Sequence, residues 1–428
     1  MSDPVSPYGS VASQHENVRA ASPVVWEKIR NIIWKIESYG LALITVMSFF
    51  PRLFHLEEAL FFILLVIALG TVWREGRTVW VRTPLDLPLL LFVGWVLLTV
   101  PFATDPAYSF AEWRKVVAQV LVFYWALLIL RIHSDEVMIR RILAAVVIGT
   151  ALLCGYALID FFGRGGTWED RYIRAGAPSS DYNWLSTYIV IVIPFLVAVA
   201  VRSSLFWQRM VSLCVAGLAL FAQVVSYTRA GWIGIVTQGL SFGLLTASRK
   251  LIVWILVGCL IGGIGLVALN QTGYQRQTVS TDNFEYRRVL WERGIQEIAA
   301  HPIVGVGYGD DTYLKRFGVH PAKGTPAGLH NTFLMVAMGS GVPAVAFLVW
   351  ALIAAVLTLL PRTRKLSDWI ASATMASTAV MIIGFAARNL FDYMFAGSIA
   401  FLFWILVAVG LTVRTPLSPV PPGGKQEI

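Results

Sequence analysis

Long apolar runs separated by short clusters of charge make up most of this 428-residue chain. Read between the charged breaks, they predict twelve helices, at 38–50, 59–73, 87–102, 116–130, 142–162, 184–201, 210–227, 232–247, 251–270, 332–360, 370–387 and 399–413. None of the runs alternates with period two. The expected architecture is therefore all-α, because a backbone in lipid satisfies its own hydrogen bonds only as helices or as a closed barrel. Two polar stretches interrupt the series, at 163–183 and 271–329. Within the second, 284–300 has helical periodicity with Phe284, Trp291, Ile295 and Ile298 on one stripe, which predicts an amphipathic helix with its apolar face on lipid.

Composition agrees with a polytopic integral membrane protein: 57% of residues are hydrophobic, 14% are charged and the mean hydropathy is +0.68. The opening segment, Met1 to Pro23, is polar and Ser-rich and does not read as a signal peptide. Thr415 to Ile428, rich in Pro and Gly, reads as a disordered tail. Cys154, Cys214 and Cys259 lie inside apolar runs at no metal-ligand spacing, which suits small buried hydrophobes. The expected organisation is a polar cytoplasmic segment over 1–36, nine spans over 37–270, a periplasmic loop over 271–330, three spans over 331–414 and a cytoplasmic tail over 415–428.

Charge sets the orientation. Alternate short connections carry Arg74, Arg77 and Arg82, then Arg131, Arg140 and Arg141, then Arg202 and Arg209, then Arg249 and Lys250, then Arg362, Arg364 and Lys365, so these and both termini are expected on the cytoplasmic side. Arg164, Arg171, Arg174, Arg229, Arg276, Arg287, Arg288, Arg293, Lys315, Arg316 and Arg388 then fall on the outer face, against the usual bias. Cations retained there need a local reason, and an anionic ligand is the simplest. Arg164, Arg171, Lys315 and Arg316 read as a solvated surface, whereas Arg229 sits at a helix mouth with almost no loop around it.

The residues around Arg229 are Ser226-Tyr227-Thr228-Arg229-Ala230-Gly231-Trp232, a helix end followed directly by a helix start. Free backbone N–H groups and a guanidinium there would make an anion site, the alternative being an arginine that snorkels to the interface. On the amphipathic segment Arg287 and Trp291 share a face, and Arg287 and Arg288 would lie at headgroup depth; membrane anchoring is the alternative, more so for Arg288 and Arg293. The glycines of Ile303-Val304-Gly305-Val306-Gly307-Tyr308-Gly309 suit tight turns or close packing, since no βαβ unit surrounds them. His330-Asn331 opens the longest apolar run, and an imidazole there could take a proton from a sugar hydroxyl. No charged residue lies at the middle of a predicted span, which argues against a proton-coupled transporter. Glu169-Asp170 and Asp310-Asp311 each lack a third ligand at recognisable spacing, so a mechanism without metal or cofactor is expected.

In this order, on one face, the pieces resemble the O-antigen ligase and polymerase family of bacterial envelope glycosyltransferases. They are Asn183 ahead of a span, Thr228-Arg229-Ala230-Gly231 at a helix mouth, Arg287 four before Trp291, His301-Pro302-Ile303-Val304-Gly305-Val306-Gly307, and His330-Asn331 followed by Leu334 and Gly341. The likeness covers roughly 174–344 and departs at Gly339, where the family often has an acidic residue, and at Ala344, where it has glycine. The resemblance implies an undecaprenyl-pyrophosphate-linked polysaccharide donor, a periplasmic site in a bacterial inner membrane, a helical fold similar to the GT-C class of lipid-linked-sugar transferases and, in the ligase branch, lipid A-core as acceptor. Membrane lipid is expected as a partner and nucleic acid is not.

On this reading Arg229 and Arg287, with Arg288, hold the pyrophosphate; His330 is the base; and Arg174, Asn183, Asn331, Arg388 and Asp392 shape the acceptor side or stand behind the first contacts. A polymerase or a protein O-oligosaccharyltransferase using the same donor is the nearest alternative. A twelve-helix transporter or flippase is the alternative from another class.

Overall fold

The computed structural model describes residues 9–76, 81–132, 136–167, 173–178, 181–271, 282–317, 328–360 and 369–413. The described residues form fourteen α-helices and no strand. They are α1 (Gly9–Met47), α2 (Phe54–Arg74), α3 (Asp86–Thr99), α4 (Pro106–Ile132), α5 (Glu136–Gly163), α6 (Tyr182–Arg202), α7 (Phe206–Ser226), α8 (Arg229–Leu245), α9 (Arg249–Gln271), α10 (Asp282–Ala300), α11 (Thr312–Phe317), α12 (Thr332–Leu359), α13 (Trp369–Asn389) and α14 (Gly397–Val413). A helix lies at every predicted apolar run, although α1 begins well before residue 38. Six stretches among the described residues are long and apolar enough to cross a bilayer: Pro51–Arg74, Pro106–Ile132, Val137–Gly163, Tyr182–Arg202, Phe206–Ser226 and Thr332–Leu359. Asp86–Phe102 and Gly397–Thr412 are shorter apolar helices. The chain is a multi-pass membrane protein, all-helical among the described residues.

Burial explains the short helix α14. Residues 399–409 are all buried, with α4 and α13 packed against them, so this helix is surrounded by protein. Aromatic rings fill the centre: Phe61 meets both Trp125 and Phe401 edge-on, and Phe385 packs on Phe403. Glu57, in the first turn of α2, is buried and accepts hydrogen bonds from Ser48 and Ser398, which ties together the ends of α1, α2 and α14.

Helix ends place the functional side chains. Asp181 caps α6, its carboxylate accepting from Asn183 N at 2.6 Å, and Asn331 caps α12 by accepting from Leu334 N at 3.0 Å. Tyr227 closes α7 in the left-handed region at φ +54°, and α8 begins two residues later at Arg229. These corners bring the starts of α6, α8 and α12 to the end of α13.

The expected single run at 332–360 is one helix in sequence but two in geometry. Ser340 and Gly341 leave the helical region, Gly341 at φ +81°, and the freed carbonyls of Met338 and Gly339 accept from Val306 N at 2.9 Å and Gly307 N at 2.8 Å. Val342 N donates back to Pro302 O at 2.8 Å. A Cβ on Gly341 would stand 2.0 Å from Ile303 O, and one on Gly305 would stand 2.5 Å from Gly339 C. The glycines of 303–309 thus serve close backbone packing, as their sequence context suggested.

One expectation changes. The apolar face of α10 does not point at lipid: Leu290 is buried, and Trp291 and Ile298 pack with Tyr313, Leu329 and Met335, while Ile295 on the predicted stripe is exposed. The start of α12 offers apolar surface that the sequence of α10 alone does not reveal, and Trp291 Nε1 donates to Leu329 O at 2.6 Å.

Candidate active site

The docking of α10 fixes Arg287, whose guanidinium donates to Phe391 O at 2.5 Å in the short link between α13 and α14. The next residue in that link, Asp392, is the centre of the site. Its carboxylate is buried, with Oδ1 3.2 Å from His330 Nδ1 and Oδ2 3.5 Å from Arg388 Nη2. Burial raises the carboxyl's pKa, but the hydrogen bond from His330 and the positive charges of Arg388, His330 and Arg287 outweigh it, so Asp392 titrates below the ordinary carboxylate range. Arg388, fully buried at the end of α13, also donates to Asn183 O at 2.7 Å. Burial lowers its pKa, opposed by the nearby charges of Asp392 and Asp181.

His330 itself is held in a conformation that L residues rarely adopt, φ +48°, immediately before the cap of α12. Thr332 N donates to Asp392 O at 3.0 Å and Thr332 Oγ1 lies 2.7 Å from Asn389 Oδ1, which locks the two chain segments together. In the neutral tautomer whose Nδ1–H donates to Asp392, the imidazole keeps its lone pair on Nε2. That atom is buried and has no hydrogen-bond partner among the described residues. Buried polar atoms are rarely left so, and an unpaired acceptor beside cations suits a hydroxyl yet to arrive.

Two further arginines, Arg229 and Arg174, join Arg287 at the mouth. Arg229, exposed at the first turn of α8, has its pKa lowered by partial burial of its head group and then by the positive charges of Arg287 and Arg174. Thr228, the residue before it, makes no side-chain cap. Arg174 donates to Tyr227 O at 3.3 Å, lies 4.1 Å over the Tyr182 ring and leaves its Nε buried without a partner among the described residues. Asp181 joins the set electrostatically: burial raises its pKa, the Asn183 N–H lowers it and Asp392 raises it again.

Of the residues singled out in the sequence, the structure brings together His330, Arg229, Arg287, Arg174, Arg388 and Asp392, with Asn183 contributing its carbonyl and Asn331 its helix cap. Arg288 is set apart, exposed on the far side of α10 and paired with Glu292 at 3.7 Å. Arg164 pairs with Asp160, Lys315 with Asp105 and Arg316 with Glu297, each at 2.7 Å, as a solvated surface requires. Arg171, Arg276, His320, Glu169 and Asp170 lie outside the described residues. Sequence reasoning missed Asp181. Its signal was a helix-capping acid two residues ahead of Asn183.

No curated protein matches the chain. Residues 214–349 match the sequence profile of a family described as O-antigen ligase. The matched stretch supplies Arg229, Arg287 and His330, whereas Asp181, Arg388 and Asp392 come from outside it. Over residues 214–349, about a third of its length, this membrane protein is thus similar to the O-antigen ligase family.

Proposed function

We propose that the chain is a ligase that moves O-antigen polysaccharide from undecaprenyl pyrophosphate to a core sugar of lipid A-core, at a site on the periplasmic face of the inner membrane. Twelve crossings with both termini cytoplasmic and a GT-C-like fold are part of the proposal. The observation that carries the proposal is the pairing of His330 with Asp392, which leaves the second ring nitrogen without a partner among the described residues, beside a crowd of arginines.

The chemistry follows from the groups present. Arg229 and Arg287, with Arg174 next to them, hold the diphosphate and oppose the negative charge that builds as it leaves. His330 Nε2 takes the proton from the acceptor hydroxyl. The hydroxyl oxygen forms a bond to the anomeric carbon as the bond from that carbon to the phosphate oxygen breaks, with inversion, releasing undecaprenyl pyrophosphate. Asp392 keeps the imidazole in the tautomer that leaves Nε2 free to accept, and stabilises the imidazolium that results. Arg388 in turn holds Asp392, without touching substrate.

Purified protein given labelled lipid-linked polysaccharide and lipid A-core is expected to put the label on lipid A-core, with or without chelator. Label appearing only in longer lipid-linked chains would replace the ligase with a polymerase. Activity lost on chelation would contradict the metal-free reading.

A further inference from the structure

The end of the bundle opposite His330 holds a second feature. Here the start of α5, the end of α6, the start of α7 and the start of α13 diverge around an open-sided groove of about 250 Å³. Its walls are apolar, from Leu143, Val147, Phe195 and Val199, and the small Ala144 and Ala198 make its depth. Its polar rim comprises Ser203 and Gln208, hydrogen-bonded to each other at 2.5 Å, and Arg140. Trp207 also lines the groove and is 61% exposed, the place an interfacial aromatic takes between hydrocarbon and headgroups.

We propose that this groove binds an anionic membrane phospholipid, one acyl chain against the apolar walls and the phosphate at Arg140. Two observations select this occupant. An apolar slot with a polar rim at one end matches the two ends of a lipid. The charge is also one-sided, since Arg140 is the charged residue of the described lining, no carboxylate lies among it, and exposed Arg202 and Arg209 flank Ser203 and Gln208. Charged connections at this end are also the ones expected to face the cytoplasmic, anionic leaflet. The lipid is a ligand distinct from the donor, because α6 and α13 run the length of the bundle between the two sites.

The test is native mass spectrometry of the full chain reconstituted with equal phosphatidylglycerol and phosphatidylcholine. The wild type is expected to retain phosphatidylglycerol over phosphatidylcholine by about fivefold, the effect of one arginine near an anionic headgroup. Arg140→Gln is expected to erase that preference. Ala198→Trp fills the groove and should abolish retention; Val211→Trp, on an exposed part of the lining, does the same with little risk to folding. Equal retention of the two lipids by the wild type would overturn the proposal. So would Val211→Trp protein of unchanged thermal stability that still holds phosphatidylglycerol, or a second copy of the chain crosslinking into the groove in place of lipid.

Discussion

Two groups of cations share one end of this molecule and are held in opposite ways. Lys315 and Arg316 each lie 2.7 Å from a carboxylate, Asp105 and Glu297, and Lys315 also sits 4.6 Å over the Tyr108 ring, so this clasp neutralises itself while fastening the segment to the start of α4 and to α10. Arg174, Arg229 and Arg287 instead crowd one another: partial burial and then the charges of Arg287 and Arg174 depress the Arg229 pKa, and the acids near them, Asp181 and Asp392, are engaged with a helix cap, His330 and Arg388. On the proposed function the pyrophosphate of the donor meets the positive charge gathered there, which is why we place the site at the crowded group.

The sharpest break of this comparison is at His330. His330→Gln is expected to reduce transfer by about 10² to 10⁴ while thermal unfolding stays near that of the wild type, because the imidazole is a base and not a core residue. Asp392→Asn should harm both activity and stability, since it leaves Arg388 buried without its counter-charge; removing one partner of a buried pair costs about 3–5 kcal/mol, read as a lowered unfolding temperature. Arg229→Ala and Arg287→Ala are each expected to lose about 2–3 kcal/mol of transition-state stabilisation, roughly 30- to 150-fold in kcat/KM, and lysine should not restore it. By contrast Arg164→Ala and Arg316→Ala should change activity and stability by less than about 1 kcal/mol. Equal effects in the two sets would erase the distinction drawn between them.

The pH dependence sharpens it further. Asp392 is held below the ordinary carboxylate value, so its stabilising charge is fully present above that value, about 3.9, and is lost only as pH falls through its lower folded value. Activity lost on acidification from pH 8 to pH 5 therefore belongs to another group. Gly341→Ala should give a smaller and purely structural loss, about 1 kcal/mol or more, since its φ of +81° and the nearby Ile303 carbonyl leave no room for a methyl.

Much of this was legible in the chain before its coordinates. Apolar runs located the helices, and Arg174, Arg229, Arg287 and His330, singled out in the sequence, come together in the structure. Sequence could not supply the partner of that histidine as firmly. Asp392 lies 62 positions away and reaches it only because Thr332 and Asn389 pin two chain segments together. Arg287 and Arg288 are neighbours whose fates diverged on the rotation of α10, which the apolar surface of α12 decides. The break at Ser340 and Gly341 was hidden for a related reason, its hydrogen-bond partners being supplied by 302–307.

The central claim is that His330 accepts a proton beside a diphosphate gripped by arginines. The most direct measurement is a transfer assay with purified His330→Gln protein alongside a donor-binding measurement. The account predicts wild-type affinity for the polyprenyl-diphosphate donor and almost no product; near-normal product formation would contradict it.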